Sequence, residues 1–261
     1  MKRSFEEHPP SEVPYSLQCW RHTEQEDAFI QGWIRLQMPE LWVRLAGRYH
    51  AASFVCHTRA REFFARLRAC RIHPRDDLLP LGETETQSIE SHLWAFFQAG
   101  KLLLDALARE VNLIYWHRDG AGLFDDPLTK ARWISFYTVR QKLLAHDQFA
   151  REPIGQLLAR HTTGETADPP YQALSHWANV GLMVPLLIGP VVSDVAPSDQ
   201  SPSVGQCRIL LPDDPRQFPT TYDRGFEINA LGTSILAWLA WFMDEVYRAL
   251  TFTLTQMKGA E

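Results

Sequence analysis

The sequence predicts an all-α protein: an up-and-down bundle of four to five long helices with a proline-rich, irregular insertion at about 151–225 carrying one short hairpin. Two observations predict this. Apolar residues recur at steps of three and four along three stretches, residues 24–72, 89–114 and 128–144, the spacing that gathers them on one face of a helix. The last stretch, Phe226 to about Thr255, is apolar on nearly every side between Ile235 and Met243, as expected of a helix covered all round. No fixed-period repeat competes with this reading, and long helices joined by loops pack as a bundle. The domain organisation expected is a flexible N-terminal arm over residues 1–15, followed by one helical domain over 16–261.

The elements follow in order. Phe29, Trp33 and Leu36, then Leu41, Val43 and Leu45, give helical spacing with a break or kink at Pro39, because proline lacks the N–H and clashes with the preceding turn. Phe54, Val55, Phe63, Phe64 and Leu67 continue the signal to a stop at His73-Pro74. Asp76–Glu85 reads as a loop. The clearest helix follows, with Ile89, Leu93, Phe96, Phe97, Gly100, Leu104, Leu107, Val111 and Ile114 on one stripe. Gly120 and Gly122 stop it. A fourth helix opens at Asp126-Pro127, where Asp caps and Pro suits the first turn, and runs to about His146. Short helices are expected at Ile154–His161 and Tyr171–Leu182. Cys207–Leu211 and a short run before Gly225 pair as the hairpin.

Composition is that of a globular chain, 45% hydrophobic and 22% charged. The net charge of −5 supplies no global field for polyanions. Arginine outnumbers lysine 21 to 5; arginine binds phosphate bidentately, but codon bias explains the same ratio more simply. The four cysteines have no zinc or redox spacing. No signal peptide is legible, and the apolar runs Val180–Val192 and Ile235–Met243 fall short of the roughly 18 residues of a membrane span. A cytoplasmic protein without membrane contact is expected.

Common catalytic patterns are missing: no HExxH, P-loop, GxGxxG or GxSxG occurs. No metal and no cofactor are expected. What remains is Arg140 and His146 in FYTVRQKLLAHDQF, with the amide of Gln141 beside the arginine. Arg3/His8, Arg44/His50 and Arg68/His73 have similar spacing, but only Arg140 combines a place between two long helices with an adjacent amide. Six residues on a straight helix leave two side chains about 120° and about 9 Å apart. They converge only if the helix ends between them or two copies pair. In the plainer alternative, Arg140 meets carbonyls or a carboxylate and His146 closes the helix as a cation near its C-terminus.

In this segment the sequence resembles the HEPN superfamily (higher eukaryotes and prokaryotes nucleotide-binding), whose signature is an Arg, a polar residue and a His four to six positions on. The resemblance extends more loosely over residues 84–150 and 210–255. It implies metal-independent endoribonuclease activity leaving 2′,3′-cyclic phosphate ends. His146 would exchange a proton with the ribose hydroxyl or leaving oxygen and Arg140 would hold the phosphate, with Gln141 and Asp105 in support. It also implies a homodimer with RNA as partner, a toxin or antiviral role, and in some cases a nucleotidyltransferase-type partner protein. Two other readings stand beside it: a non-catalytic binding or scaffold subunit, and a small-molecule-binding bundle lined by Trp94, Trp238 and Trp241.

Overall fold

The computed structural model describes residues 21–45, 48–69, 82–119, 122–181, 184–189, 191–193 and 207–258. The N-terminal arm, His73-Pro74 and most of the Asp76–Glu85 loop lie outside them. The described chain is predominantly helical, with α1 (Arg21–Gln37), α2 (Pro39–Leu45), α3 (Arg48–Ala69), α4 (Glu83–Asp119), α5 (Phe136–Ala145), α6 (Asp147–Ala150), α7 (Pro153–Thr162), α8 (Pro169–Val180) and α9 (Ile228–Lys258). The strands β1 (Val191–Ser193), β2 (Cys207–Leu211) and β3 (Phe226–Glu227) form one small antiparallel sheet in the order β1-β2-β3. It is an all-α bundle, as the periodicity predicts.

The long helices α1, α3, α4 and α9 make the frame. Every residue of the predicted α4 stripe is buried, from Ile89 to Ile114. At 37 residues and ~1.5 Å per residue, α4 spans about 55 Å and serves as the backbone on which α3, α5, α8 and α9 pack. The α3–α4 seam is aromatic: the rings of Phe63 and Phe96 lie parallel at 6.1 Å, with Phe64 and Phe97 alongside. Gly100 admits α8 and α9 to α4, since a Cβ there would sit 3.0 Å from a methyl of Leu174.

The apolar run on α9 is covered within the chain. Ile235, Leu236, Trp238, Leu239, Ala240, Phe242 and Met243 are all buried, and only Trp241 is exposed in quantity, at 40%. The helix meets α1, α3, α4, α7, α8 and the sheet. A second copy is therefore not needed to cover this run.

Several boundaries differ from expectation. Asp126-Pro127 opens a turn rather than a helix: Asp126 Oδ1 accepts from the N–H groups of Leu128 and Thr129, and α5 starts only at Phe136. Ser135 starts it with a capping box, its side chain accepting from Thr138 N while Thr138 Oγ1 accepts from Ser135 N. Such reciprocal bonds satisfy two orphan donors; with Thr rather than Glu or Gln at the third position, the pattern is easily missed. The helix α4 starts at Glu83, inside the expected loop, with Glu83 and Glu85 in its first turn, where carboxylates meet the positive helix end. The hairpin partner of β2 lies after Gly225 rather than before it, at Phe226–Glu227.

The stretch 151–225 is not wholly irregular. Ile154 and Leu158 of α7, and Leu174, Trp177 and Ala178 of α8, are buried in the common core. Gly155 is a close approach: a Cβ there would stand 2.1 Å from the Phe149 carbonyl oxygen, a backbone atom that cannot swing away. Gly155→Ala is expected to lower stability by about 1–3 kcal/mol, read from the urea denaturation midpoint. An unchanged midpoint would contradict this packing.

Candidate functional site

Arg140 lies one turn into α5 and is only 9% exposed. The start of its helix is fixed from two sides, by the Ser135 box and by Asp105 of α4, whose Oδ1 accepts from Phe136 N at 2.8 Å. Burial raises the Asp105 pKa against that bond. Asp105 thus caps α5 through the first-turn N–H of Phe136. From α5, Arg140 Nη1 donates to the Thr162 carbonyl at the end of α7 and, at 2.7 Å, to the Tyr171 hydroxyl on α8. Its guanidinium lies over the rings of Tyr137 (5.3 Å) and Tyr171 (5.9 Å). One side chain ties three helices together.

His146 is placed elsewhere. It is the residue between α5 and α6, with extended backbone at φ −106° and ψ 114°. Its ring stacks on Phe149 at 4.3 Å, and its Nδ1 is buried without a hydrogen-bond partner. Phe149 in turn packs on Tyr115 and Phe124 and lies under Arg118, which pairs with Glu152 at 2.5 Å. Gln141 is exposed. Within one copy the two side chains part: the arginine reaches α7 and α8, while the histidine, in extended backbone beyond the end of α5, lies on Phe149 of α6.

A different imidazole shares Arg140's surroundings. Tyr171 packs against Trp238 of α9 at 5.5 Å, and Trp238 Nε1 donates to Asp168 Oδ2 at 2.8 Å. The same carboxylate oxygen meets His161 Nδ1 at 2.9 Å, and His161 is chain neighbour to Thr162. The contacts close a ring: Arg140, Tyr171, Trp238, Asp168, His161, Thr162 and back to Arg140. Asp168 stands at the N-cap of α8 yet makes no side-chain cap bond; its carboxylate is turned to His161 and Trp238 instead. Trp241 sets its ring edge-to-face on His161 at 4.8 Å. Sequence reasoning missed both His161 and Asp168, because an Asp before Pro-Pro reads as an ordinary helix cap.

A second polar cluster lies between α1, α3, α4 and α9. Gln31 Nε2 donates to Asp27 Oδ1 (3.3 Å) and Glu110 Oε1 (2.7 Å), and the Tyr247 hydroxyl donates to Glu110 Oε2 at 2.5 Å. His50 Nε2 pairs with Asp27 Oδ2 at 2.6 Å. Burial, reinforced by the neighbouring Asp27 carboxylate, pushes Glu110 up to about 8. Burial also raises Asp27, against the opposing pull of His50. The second cluster is built on buried acid groups, whereas the ring around Arg140 holds a buried guanidinium. The ring is the better site for an anionic ligand.

Cavities beside the two clusters are about 10 Å³ each, room for at most about one water. Chemistry at the ring would therefore take place at its surface. Trp94 lies against Gly181, away from the contacts that Trp238 and Trp241 make in the ring. Among the described residues no group of three or more His, Cys, Asp or Glu is placed to hold a metal ion, and no helix is long and apolar enough to cross a membrane. Comparison with known protein families, with curated proteins and with solved structures returned no match, so the functional reading rests on this geometry and on the motif around Arg140.

Proposed function

We propose that this chain is an HEPN-like, RNA-directed protein that cleaves RNA without a metal at the end of the bundle where α5, α7, α8 and α9 meet. The observation that carries the reading is the closed ring of contacts that joins a buried guanidinium, Arg140, to an imidazole, His161. A fixed positive charge in a dry environment stabilises the charge that develops on a phosphate nearby, and an imidazole moves protons near neutral pH. Exposed aromatic rings border the ring, Tyr137 at 62% and Trp241 at 40%, and such rings stack on unpaired bases. Within one copy Arg140 and His146 turn to different partners, and the homodimer that the HEPN resemblance implies would bring an arginine and a histidine of two copies together. A toxin or antiviral role and a nucleotidyltransferase-type partner rest on that resemblance alone.

One observation favours the second reading, a non-catalytic binding or scaffold subunit: both Nη1 hydrogens of Arg140 are directed to acceptors of its own chain. A single assay separates the two. Labelled single-stranded RNA incubated with the protein in EDTA is expected to yield fragments with 2′,3′-cyclic phosphate ends. Activity should fall as added salt screens phosphate contacts. RNA that is bound but left intact points to the scaffold, and RNA neither bound nor cut ends both readings.

A further inference from the structure

We infer that His161, oriented by Asp168, is the proton-transfer group of this site, and that the histidine of the Arg140 motif, His146, is not. The inference rests on the RNA-cleaving reading above and names the residue that performs it. A carboxylate on one ring nitrogen fixes the tautomer and steadies the imidazolium that forms, leaving the other nitrogen to take a proton. Asp168 Oδ2 does this at His161 Nδ1, 2.9 Å away, and is itself held by Trp238 Nε1. The backbone repeats the link, Asp168 N donating to the His161 carbonyl at 3.0 Å. His161 is 18% exposed, and among the described residues Nε2 has no hydrogen-bond partner. Trp241 holds the ring from one side. His146, by contrast, has no carboxylate on either nitrogen among the described residues; its ring lies on Phe149.

Asp168 is free to make these contacts. The first two residues of α8, Pro169 and Pro170, carry no N–H for an N-cap side chain to bond, and its carboxylate is left to the imidazole and the indole.

In the reaction, His161 Nε2 takes the proton of a ribose 2′-hydroxyl. The 2′-oxygen bonds to phosphorus, the bond from phosphorus to the 5′-oxygen breaks, and that oxygen leaves with a proton from water. The imidazolium returns its proton to the hydroxide so formed, and no electrons are exchanged. Arg140 acts as a positioning residue, holding the His161–Thr162 end of α7 and placing positive charge beneath it.

The test compares His161→Ala, His146→Ala and Asp168→Asn on single-stranded RNA in EDTA, each checked for cooperative unfolding. His161→Ala should lose about a hundredfold in kcat and regain activity when imidazole is added, a response that a purely structural residue does not give. Asp168→Asn should lower kcat and move the acid limb of the pH–rate profile to lower pH. Should His161→Ala not fold, His161→Gln, whose amide can still donate to Asp168, carries the same comparison. Loss in His146→Ala with full activity in His161→Ala overturns this assignment and leaves the RNA reading standing. Loss in His161→Ala without imidazole rescue also overturns it. A parent protein that leaves RNA intact overturns the RNA reading, and this assignment with it.

Discussion

Replacing Arg140 by Met is expected to destabilise the protein by roughly 1–3 kcal/mol, because it strips a donor from two groups at once and leaves the buried Thr162 carbonyl without its side-chain partner. The Thr162 carbonyl and the Tyr171 hydroxyl both accept from Nη1, and the methionine can satisfy neither. The cation over Tyr137 and Tyr171 is lost as well. Tyr171 is half-buried, and burial holds its pKa up against the pull of the guanidinium, so the hydroxyl stays neutral without the arginine. Gln141→Ala, one residue away on the exposed face, should stay within about 0.5 kcal/mol of the parent. Urea denaturation followed by circular dichroism measures both. An Arg140→Met protein as stable as the parent would mean that the three-helix tie is not made in solution. The motif alone suggests that Arg140→Ala would abolish activity and spare the fold; the structure says that the fold suffers too. Activity lost in an Arg140 variant is therefore evidence of catalysis only when measured where that variant is folded.

Stability should decline as pH rises from about 4.5 to about 8, and Glu110→Gln should remove most of that decline. In the unfolded chain Glu110 titrates near its ordinary 4.5, while in the fold it keeps its proton up to about 8. Between those values the folded state binds more protons than the unfolded one, so raising the pH favours unfolding. The stabilising contribution is fully present below 4.5 and is lost as pH passes through 8. At about 1.4 kcal/mol per pH unit, the effect over the window is on the order of a few kcal/mol. Asp27, also raised by burial, pushes in the same direction from a lower starting value. Glutamine keeps the shape and needs no proton, and its amide can donate to the Tyr247 hydroxyl in place of accepting from it. Denaturation midpoints at pH 5, 6.5 and 8 for parent and variant decide the matter. A flat parent profile, or an equal slope in both proteins, would show that Glu110 ionises normally.

Periodicity made the frame readable. The α4 stripe and the α9 run are buried where expected because burial of an apolar face is a local property of sequence. The start of α5 was less legible, since Ser135 and Thr138 cap it without the usual acidic or amide partner and Asp105 assists from 31 residues away. The site was half legible. Arg140 could be singled out from its motif, but its partners come from α7 and α8, which the sequence presents as a proline-rich insertion. His161 and Asp168 are only seven residues apart, yet what turns Asp168 from a cap into a clasp is Trp238, 70 residues further on. The buried carboxylates have the same character: Glu110 and the Gln31 that bridges it to Asp27 are 79 residues apart, and nothing local marks Glu110 among the other charges of α4.

The central place of α9 bears on how the molecule is made. A ribosome delivers α1, α3, α4, α7 and α8 before α9, and each presents an apolar face that α9 helps to cover. Until Ile228–Lys258 emerges from the exit tunnel, Phe63 lacks the close approach of Gly232, and Phe136 and Tyr171 lack the rings of Phe242 and Trp238. Completion of the native core thus waits for α9, and a chain made only as far as α8 exposes apolar surface of the kind that aggregates or meets chaperones.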